Sequence, residues 1–287
     1  MNRFRRRMSV APRLVAIVTA LGLVAVFDLP RDANAAFQLL GGTGVNFDDR
    51  DLEFSLVNVD LIDGKLERVG PPNQIALYVG LDHDPAHQTL WGADEELFRI
   101  DPVTAARTLI GPLTYNGGAP ILMASMTVSP TGELYAVSNS GSTLYKVDPN
   151  SGDLTYITTY TSPLFVRAIE FASDGTLYGG YASLYQLDLV TGNVLHDFGR
   201  FAPLHPIYIS EFDISNGVFR ALRYQPDNTA TLFEIDVNAP PGQLAKNGMH
   251  INDNLFSIAG VPEPSTLVMA LVAAATLGMA ARRRRRA

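Results

Sequence analysis

Five copies of one short pattern span most of this chain of 287 residues. Each copy reads apolar residue, any residue, apolar residue, aspartate, and then a turn that leads into another strand. The copies are LVNVDLIDGKLERVG, LFRIDPVTAARTLIG, LYKVDPNSGDLTYIT, LYQLDLVTGNVLHDF and LFEIDVNAPPGQLAK, with aspartates at Asp60, Asp101, Asp148, Asp188 and Asp236. Aspartate favours a turn there because its side chain accepts hydrogen bonds from nearby backbone amides. The aspartates are 41, 47, 40 and 48 residues apart, which is the length of a propeller blade.

A second pair of strands precedes each copy from the second onward. In MTVSPTGELYAVS and IEFASDGTLYGGY, apolar and polar residues alternate on both sides of a glycine-containing turn, which is typical of a hairpin. No amphipathic helix of useful length occurs between residues 37 and 260, which excludes an α/β fold. We predict an all-β fold, a single β-propeller of about five four-stranded blades at residues 36–260. Six or seven blades are the alternative, with a degenerate blade at residues 37–54 or 240–254.

The first copy of the repeat lacks an innermost strand, and one strand is left over after the last copy. The leftover strand is NLFSIAG, at residues 254–260. We predict that it pairs into the first blade and closes the ring, because closure removes exposed sheet edges.

The phrase S-P-x-G-x-L-Y at residues 129–135 resembles the blade phrase of NHL-type and lactonase-type β-propellers. Lactonase-type propellers hold a divalent ion with acids at the central channel, so the resemblance makes Glu170 and Asp213 candidate metal ligands. Both are expected on innermost strands, where we align them with Thr127 and Gly80. Only two of the five equivalent positions are acidic in this alignment, and no asparagine accompanies them as in that family.

Two other interpretations of Glu170 and Asp213 stay open. A carboxylate in the channel can be solvated by water, or it can pair with an arginine, because a buried charge needs a partner. The candidate partners are Arg167, Arg220 and Arg223.

The segment LDHDPAHQ brings four polar residues of metal-binding type together, at Asp82, His83, Asp84 and His87. Asp82, His83 and His87 are therefore further candidate ligands. The segment also aligns with VSPTGEL and FASDGTL, which are typical of plain hairpin turns. The alignment favours a turn without a metal.

The N-terminal end has the order of a secretory signal peptide. A cluster of arginines precedes the apolar run at residues 14–27, and Ala33-Asn34-Ala35 forms an A-x-A cleavage pattern. We predict a signal peptide at residues 1–35, which is recognised by the secretion translocon and cleaved by signal peptidase after Ala35. An uncleaved N-terminal anchor is the alternative.

The C-terminal end contains an apolar stretch of 15 residues, from Leu267 to Ala281. As a helix it is about 22 Å long, slightly shorter than a bilayer core, and flanking residues can extend it. Five arginines follow, which the positive-inside rule places in the cytoplasm as a stop-transfer signal. They are Arg282, Arg283, Arg284, Arg285 and Arg286.

Immediately before this predicted transmembrane helix stands Val261-Pro262-Glu263-Pro264. The motif, the apolar segment and the arginine cluster together resemble the PEP-CTERM sorting signal of Gram-negative bacteria that make exopolysaccharide. The resemblance implies processing of residues 261–287 by an exosortase. It also implies a transient stay in the inner membrane before sorting to the cell surface or extracellular matrix. An ordinary tail anchor is the alternative.

Composition and missing motifs narrow the function of the body. The chain has no cysteine, which excludes disulfides and thiolate metal sites. Between the two ends lie 11 basic and 26 acidic residues, a balance of −15, which disfavours nucleic acid and anionic lipid as partners. No G-x-S-x-G, P-loop or H-E-x-x-H motif occurs.

We therefore predict a non-catalytic surface or matrix protein without a cofactor. Its expected ligand is a surface polysaccharide or another matrix protein. The alternatives are a metal-dependent hydrolase or lactonase-like enzyme with a divalent cation, and a protein–protein adaptor.

Overall fold

The described part of the chain folds into five sheets arranged as a β-propeller, and their strands are antiparallel except for the short β8 (Thr114–Tyr115), which pairs parallel with β12 (Asp153–Thr159). The computed structural model describes residues 37–45, 53–70, 79–84, 87–140, 142–160, 164–202, 207–225, 229–252 and 255–262. The predicted signal peptide and the predicted transmembrane tail lie outside these residues. Within them, no helix is long and apolar enough to cross a bilayer.

Each sheet is one blade, in which the strands run in order from the innermost to the outermost. Blade 1 contains β21 (Leu255–Pro262), β1 (Phe37–Val45), β2 (Glu53–Val59) and β3 (Leu66–Val69). Blade 2 contains β4 (Gly80–Asp84), β5 (Thr89–Ala93), β6 (Glu96–Ile100) and β7 (Arg107–Pro112). Blade 3 contains β9 (Met123–Val128), β10 (Leu134–Ser138), β11 (Thr143–Val147), β12 (Asp153–Thr159) and the short additional strand β8 (Thr114–Tyr115).

The last two blades have four strands each. Blade 4 contains β13 (Ala168–Phe171), β14 (Leu177–Gly180), β15 (Ser183–Leu187) and β16 (Val194–Arg200). Blade 5 contains β17 (Glu211–Ser215), β18 (Val218–Tyr224), β19 (Ala230–Ile235) and β20 (Ala245–Ile251).

The ring closes as the sequence predicts, through the strand after the last repeat. β21 pairs antiparallel with β1, with Leu40 opposite Ala259 and Gln38 opposite Val261. Each innermost strand contacts the next, and β17 contacts β21. The segments considered for a degenerate blade instead form parts of blades 1 and 5, so the described residues make five blades and the six- or seven-bladed alternative is wrong for them.

The apolar core lies between neighbouring blades. One buried cluster joins Trp91 and Leu97 of blade 2 to Met126 and Leu134 of blade 3. The innermost strands approach closely: a Cβ atom on Gly80 would lie 2.6 Å from the backbone nitrogen of Met126. Only glycine fits there, because such a contact leaves no room for a side chain.

The repeated aspartates form the predicted turns between the third and fourth strands of the blades. Asp101 Oδ1 accepts hydrogen bonds from the amides of Val103 and Thr104, at 2.8 and 2.9 Å. In blades 1 to 4 the fourth residue after the aspartate has a positive φ, which Gly152 supplies in blade 3 at 83°. Ala105 takes the same place in blade 2 at 58°, where its methyl group is buried in the core.

The strand directions define two faces of the propeller. The face that we call the exit face carries the C-terminal ends of the innermost strands, the first residue of β1 and the aspartate turns. The opposite face, which we call the loop face, carries the connections between blades and the turns between the second and third strands. Both chain ends of the propeller therefore lie on the exit face, where Phe37 is the register partner of Pro262.

Candidate functional site

The innermost strands carry two sets of equivalent residues around the propeller axis, which we call levels, and seven of these ten residues are polar. The strand registers align Asp82, Thr127, Glu170, Asp213 and Ala259 as one level. The second level lies two residues earlier on each strand and contains Gly80, Ser125, Ala168, Glu211 and Ser257. Residues two apart on a strand share a face, so both levels project to the same side.

This arrangement corrects the interpretation of LDHDPAHQ as a hairpin turn. Asp82, His83 and Asp84 belong to strand β4, and all three are buried. The alignment from sequence is two residues out of register, because Asp82 and not Gly80 is level with Glu170 and Asp213. The polar residues of the segment resemble a turn in composition, and only tertiary packing puts them inside the ring.

Three side chains of the first level join their blade to the next by accepting a backbone hydrogen bond. Asp82 Oδ2 accepts from the amide of Val128 in blade 3, at 2.6 Å. Thr127 Oγ1 accepts from the amide of Phe171 in blade 4, at 3.1 Å. Asp213 Oδ1 accepts from the amide of Gly260 in blade 1, at 2.7 Å. The three donors are equivalent positions, so these contacts form one repeated link between blades.

The Asp82 carboxyl accepts three hydrogen bonds. Besides the Val128 amide, it accepts from the Thr127 hydroxyl at 3.1 Å and from the His83 amide at 2.6 Å. Burial nevertheless raises the pKa of Asp82 to about 7, assisted by the nearby Asp213 carboxyl. The desolvation cost of a buried charge exceeds the lowering effect of the three donors.

Asp213 pairs with Arg220, which is one of the three arginines proposed from the sequence. Arg220 Nη1 donates to Asp213 Oδ2 at 3.1 Å, and both side chains are buried. The Ser215 hydroxyl donates to the same oxygen at 2.5 Å. Burial still raises the pKa of the Asp213 carboxyl. The arrangement is that of a structural ion pair.

Glu211 and Glu170 are buried glutamates on neighbouring innermost strands. The Ser125 hydroxyl donates to Glu211 Oε1 at 2.5 Å, whereas Oε2 is buried and has no hydrogen-bond partner among the described residues. Burial raises the pKa of both glutamates well above the usual value, and the neighbouring Asp82 and Asp213 carboxyls add to the shift. Sequence reasoning missed Glu211, although its spacing of two residues from Asp213 on one strand was a usable signal.

The predicted metal ligands do not come together as a metal site. His83 is buried with a pKa lowered by desolvation, and the exposed His87 ring lies with Nδ1 2.5 Å from Asp84 Oδ2. In the part of the chain that the structure describes, no three histidine, aspartate or glutamate side chains are grouped so that they could hold a metal ion.

An exposed aromatic patch lies on the loop face, between blades 4 and 5. Tyr181, in the β14–β15 turn, stacks on Tyr208 with ring centroids 4.8 Å apart and planes inclined at 24°. The guanidinium of Arg167 lies 5.7 Å from the Tyr181 ring centroid, and the Ile209 amide donates to the Tyr181 carbonyl at 2.8 Å. Tyr208 is 45% exposed, and Phe165, two residues before Arg167, is 51% exposed. We call Phe165, Arg167, Tyr181 and Tyr208 the loop-face patch.

The C-terminal sorting motif begins inside the propeller. Val261 is buried and packs in the core between blades 1 and 2, and Pro262 is the last residue of β21. The other residues of the predicted signals, Glu263, Pro264, Arg282–Arg286, Ala33 and Ala35, lie outside the described residues.

Comparison with known proteins confirms the predicted PEP-CTERM sorting motif. Residues 260–286 match the PEP-CTERM protein-sorting motif, so the match starts within strand β21. This motif implies an exported protein that is processed by an exosortase and sorted to the cell surface. No curated protein matches the chain.

Several solved structures are similar to this chain. Virginiamycin B lyase from Staphylococcus aureus is 12% identical, with a TM-score of 0.40, and the match covers 64% of each chain, just under two thirds of the lyase. A protein of unknown function from Bacteroides caccae is 12% identical, with a TM-score of 0.46, over 79% of this chain and all of the other. TolB from Acinetobacter baumannii is 15% identical, with a TM-score of 0.45, over 78% of this chain and 57% of TolB.

The repeated part of the chain also matches a family. The match covers residues 58–246, from the end of β2 to the start of β20, and so includes all five aspartate turns. The chain therefore belongs to the family described as "Repeat of unknown function (DUF6923)".

Proposed function

We propose that this protein is a surface or extracellular-matrix protein whose propeller is a non-catalytic binding domain for polysaccharide. The general secretion pathway exports it, signal peptidase removes residues 1–35, and an exosortase processes the tail. The sorting motif supports the export and processing steps, and the loop-face patch is the observation that supports a ligand-binding role.

The chemistry of the loop-face patch suits a sugar. A tyrosine ring has apolar faces and a polar hydroxyl group. The ring face can pack against the C–H face of a pyranose while the tyrosine hydroxyl hydrogen-bonds to hydroxyl groups at the edge of the sugar. The Tyr181 ring stacks against one face of the Tyr208 ring, so Tyr208 is oriented by this contact while its side chain stays exposed. Arg167 adds a cation and planar hydrogen-bond donors, which suits an acidic sugar carboxylate.

The carboxyls in the ring support a binding role over a hydrolase or lactonase role. A catalytic group must come within hydrogen-bond reach of the reacting atoms. Asp82, Glu170, Glu211 and Asp213 are each at most 8% exposed, and two of them accept the backbone bonds that join blades. Asp82 and Asp213 are therefore occupied in joining blades, and burial keeps all four carboxyls away from a substrate in solution.

Binding of defined glycans tests this proposal. Purified protein is titrated with alginate, cellulose and chitin oligosaccharides in isothermal calorimetry, with Tyr208→Ala as the variant. Tyr156→Ala is the matched control, because Tyr156 is 48% exposed on the outer strand of blade 3.

We expect at least one glycan to bind, with about a tenfold weaker Kd in Tyr208→Ala and an unchanged Kd in Tyr156→Ala. Equal losses in both variants would reject the loop-face patch as the site. Absence of binding to every glycan, together with capture of a matrix protein through Tyr208, would favour the adaptor function.

A further inference from the structure

The path of the chain brings the exit face close to the membrane before the tail is processed. The last described residue, Pro262, ends β21 at this face. Only four residues, 263–266, separate it from the apolar segment that starts at Leu267. Four extended residues span at most about 14 Å. If the proposed tail insertion holds, on which this inference rests, the exit face cannot move further than this from the bilayer surface.

The exit face also presents apolar side chains that the fold does not use. Ile62, Val190 and Val103 are 93%, 83% and 67% exposed, and they are the three most exposed large apolar side chains in the described residues. Each occupies the second position after a repeat aspartate, at the tip of a turn between the third and fourth strands. The same position holds Asn150 and Asn238 in blades 3 and 5, so turn formation does not require an apolar residue there.

The position of Ile62 relative to the chain exit strengthens this observation. In blade 1, β21, β1 and β2 are adjacent strands, and adjacent strands are about 4.8 Å apart. The β2–β3 turn that carries Ile62 therefore begins about 10 Å from Pro262. Ile62 thus stands beside the point where the chain leaves for the tail.

The charges of the exit face select the kind of lipid. Hydrogen bonding within the turns lowers the pKa of the Asp101 and Asp188 carboxyls, so both carry a negative charge on this face. The lysines Lys65 and Lys246 are paired with aspartates of the same turns. This acidic face is repelled by anionic headgroups but can contact zwitterionic ones.

We propose that the exit face docks on the zwitterionic surface of the membrane while the tail is anchored. Ile62, Val103 and Val190 enter the interface between headgroups and acyl chains. Docking turns the loop face, with the loop-face patch, away from the membrane.

The absence of cysteine allows a direct test with the full chain. Single-cysteine variants Ile62→Cys, Val103→Cys and Val190→Cys are labelled with bimane and reconstituted in vesicles of phosphatidylethanolamine and brominated phosphatidylcholine. Phe165→Cys and Tyr208→Cys report on the loop face. Ala273→Cys, inside the apolar segment, reports on tail insertion.

We expect bromine to quench at least half of the fluorescence at the three turn positions and at Ala273→Cys, and less than a tenth at the loop-face positions. A second substitution, Val190→Asn, introduces the residue type of blades 3 and 5 and is expected to reduce the quenching at Ile62→Cys. Added phosphatidylglycerol is expected to reduce it too.

Each other outcome overturns the proposal. Quenching at Ala273→Cys without quenching at the turn positions would reject docking and leave the anchored tail in place. Absence of quenching at Ala273→Cys would reject tail insertion together with docking, and it would leave glycan binding by the loop-face patch untouched. Quenching that requires an added exosortase would assign the exit face to a protein partner instead of lipid.

Discussion

Titration of Asp82 inside the ring should make the propeller less stable as the pH rises from 5 to 8. Burial raises its pKa from 3.8 to about 7 in the folded protein. Because the folded pKa lies above the unfolded one, the stabilising contribution is complete below about pH 4. It is lost as the pH rises through 7. Each pH unit between these values costs about 1.4 kcal/mol, so Asp82 alone accounts for about 3 kcal/mol between pH 5 and pH 8.

To isolate the effect of Asp82 ionisation, Asp82 is replaced by the residue that occupies the equivalent position in blade 3. Thr127 is the equivalent residue of blade 3, and its hydroxyl accepts the amide of the next blade. Asp82→Thr should therefore keep the link to blade 3 and remove the ionisable group. The unfolding free energy is measured by guanidinium denaturation, followed by circular dichroism, at half-unit pH steps. We expect the loss of unfolding free energy between pH 5 and pH 8 to be about 3 kcal/mol smaller in Asp82→Thr than in the unsubstituted protein. The remaining pH dependence of the unfolding free energy comes from Glu170 and Glu211.

An exposed turn residue provides the control for this experiment. Asp174 bonds to Thr176 in the turn of the β13–β14 hairpin, and its pKa is lowered, so it stays ionised in both states between pH 5 and pH 8. Asp174→Asn should leave the pH dependence unchanged. The reasoning is refuted if the native protein gains stability over this pH range, or if Asp82→Thr retains the full loss.

Three further predictions concern the ring and its turns, each measured by thermal and chemical unfolding. Arg220→Met should cost about 3–5 kcal/mol because it leaves the buried Asp213 unpaired, whereas combining it with Asp213→Asn, which keeps an oxygen for the Gly260 amide, should restore most of that stability; an equal cost in both variants would argue against the ion pair. A chain that stops after Asp253 should lose cooperative unfolding because it lacks β21, whereas one that stops after Pro262 should melt at the full-length temperature. Gly152→Ala should cost about 1–3 kcal/mol, because its φ is +83° and a Cβ would lie 2.7 Å from a carbonyl oxygen at the end of β7; an unchanged midpoint would contradict this.

The repeat made the architecture predictable, whereas the side-chain roles depended on packing between blades. Alternation and the five aspartates specify local strands and turns, and the leftover strand identified the closure correctly. The prediction for the segment around Asp82 was wrong because a short polar stretch has the same local sequence pattern in a turn and in a buried strand. Its role depends on the amide of Val128, 46 residues away, and no local pattern reports that contact.

The aromatic residues show the same limit. Trp91, the single tryptophan of the chain, is only 6% exposed in the core between blades 2 and 3. Tyr181 and Tyr208 are 27 residues apart, and a connection between blades brings them together. Strand patterns say nothing about such connections, so the sequence could indicate aromatic side chains without indicating which of them meet on one face.

The pairing of β1 with β21 sets the order of events during export. Leu40 and Ala259 are register partners, so the first blade stays incomplete until the last body residues have crossed the membrane. Contacts of such long sequence separation form late, because loop closure must precede them. Only four residues separate Pro262, the end of β21, from the apolar tail segment. On the proposed export route, the strand that completes the fold therefore leaves the membrane immediately before the apolar tail segment reaches it.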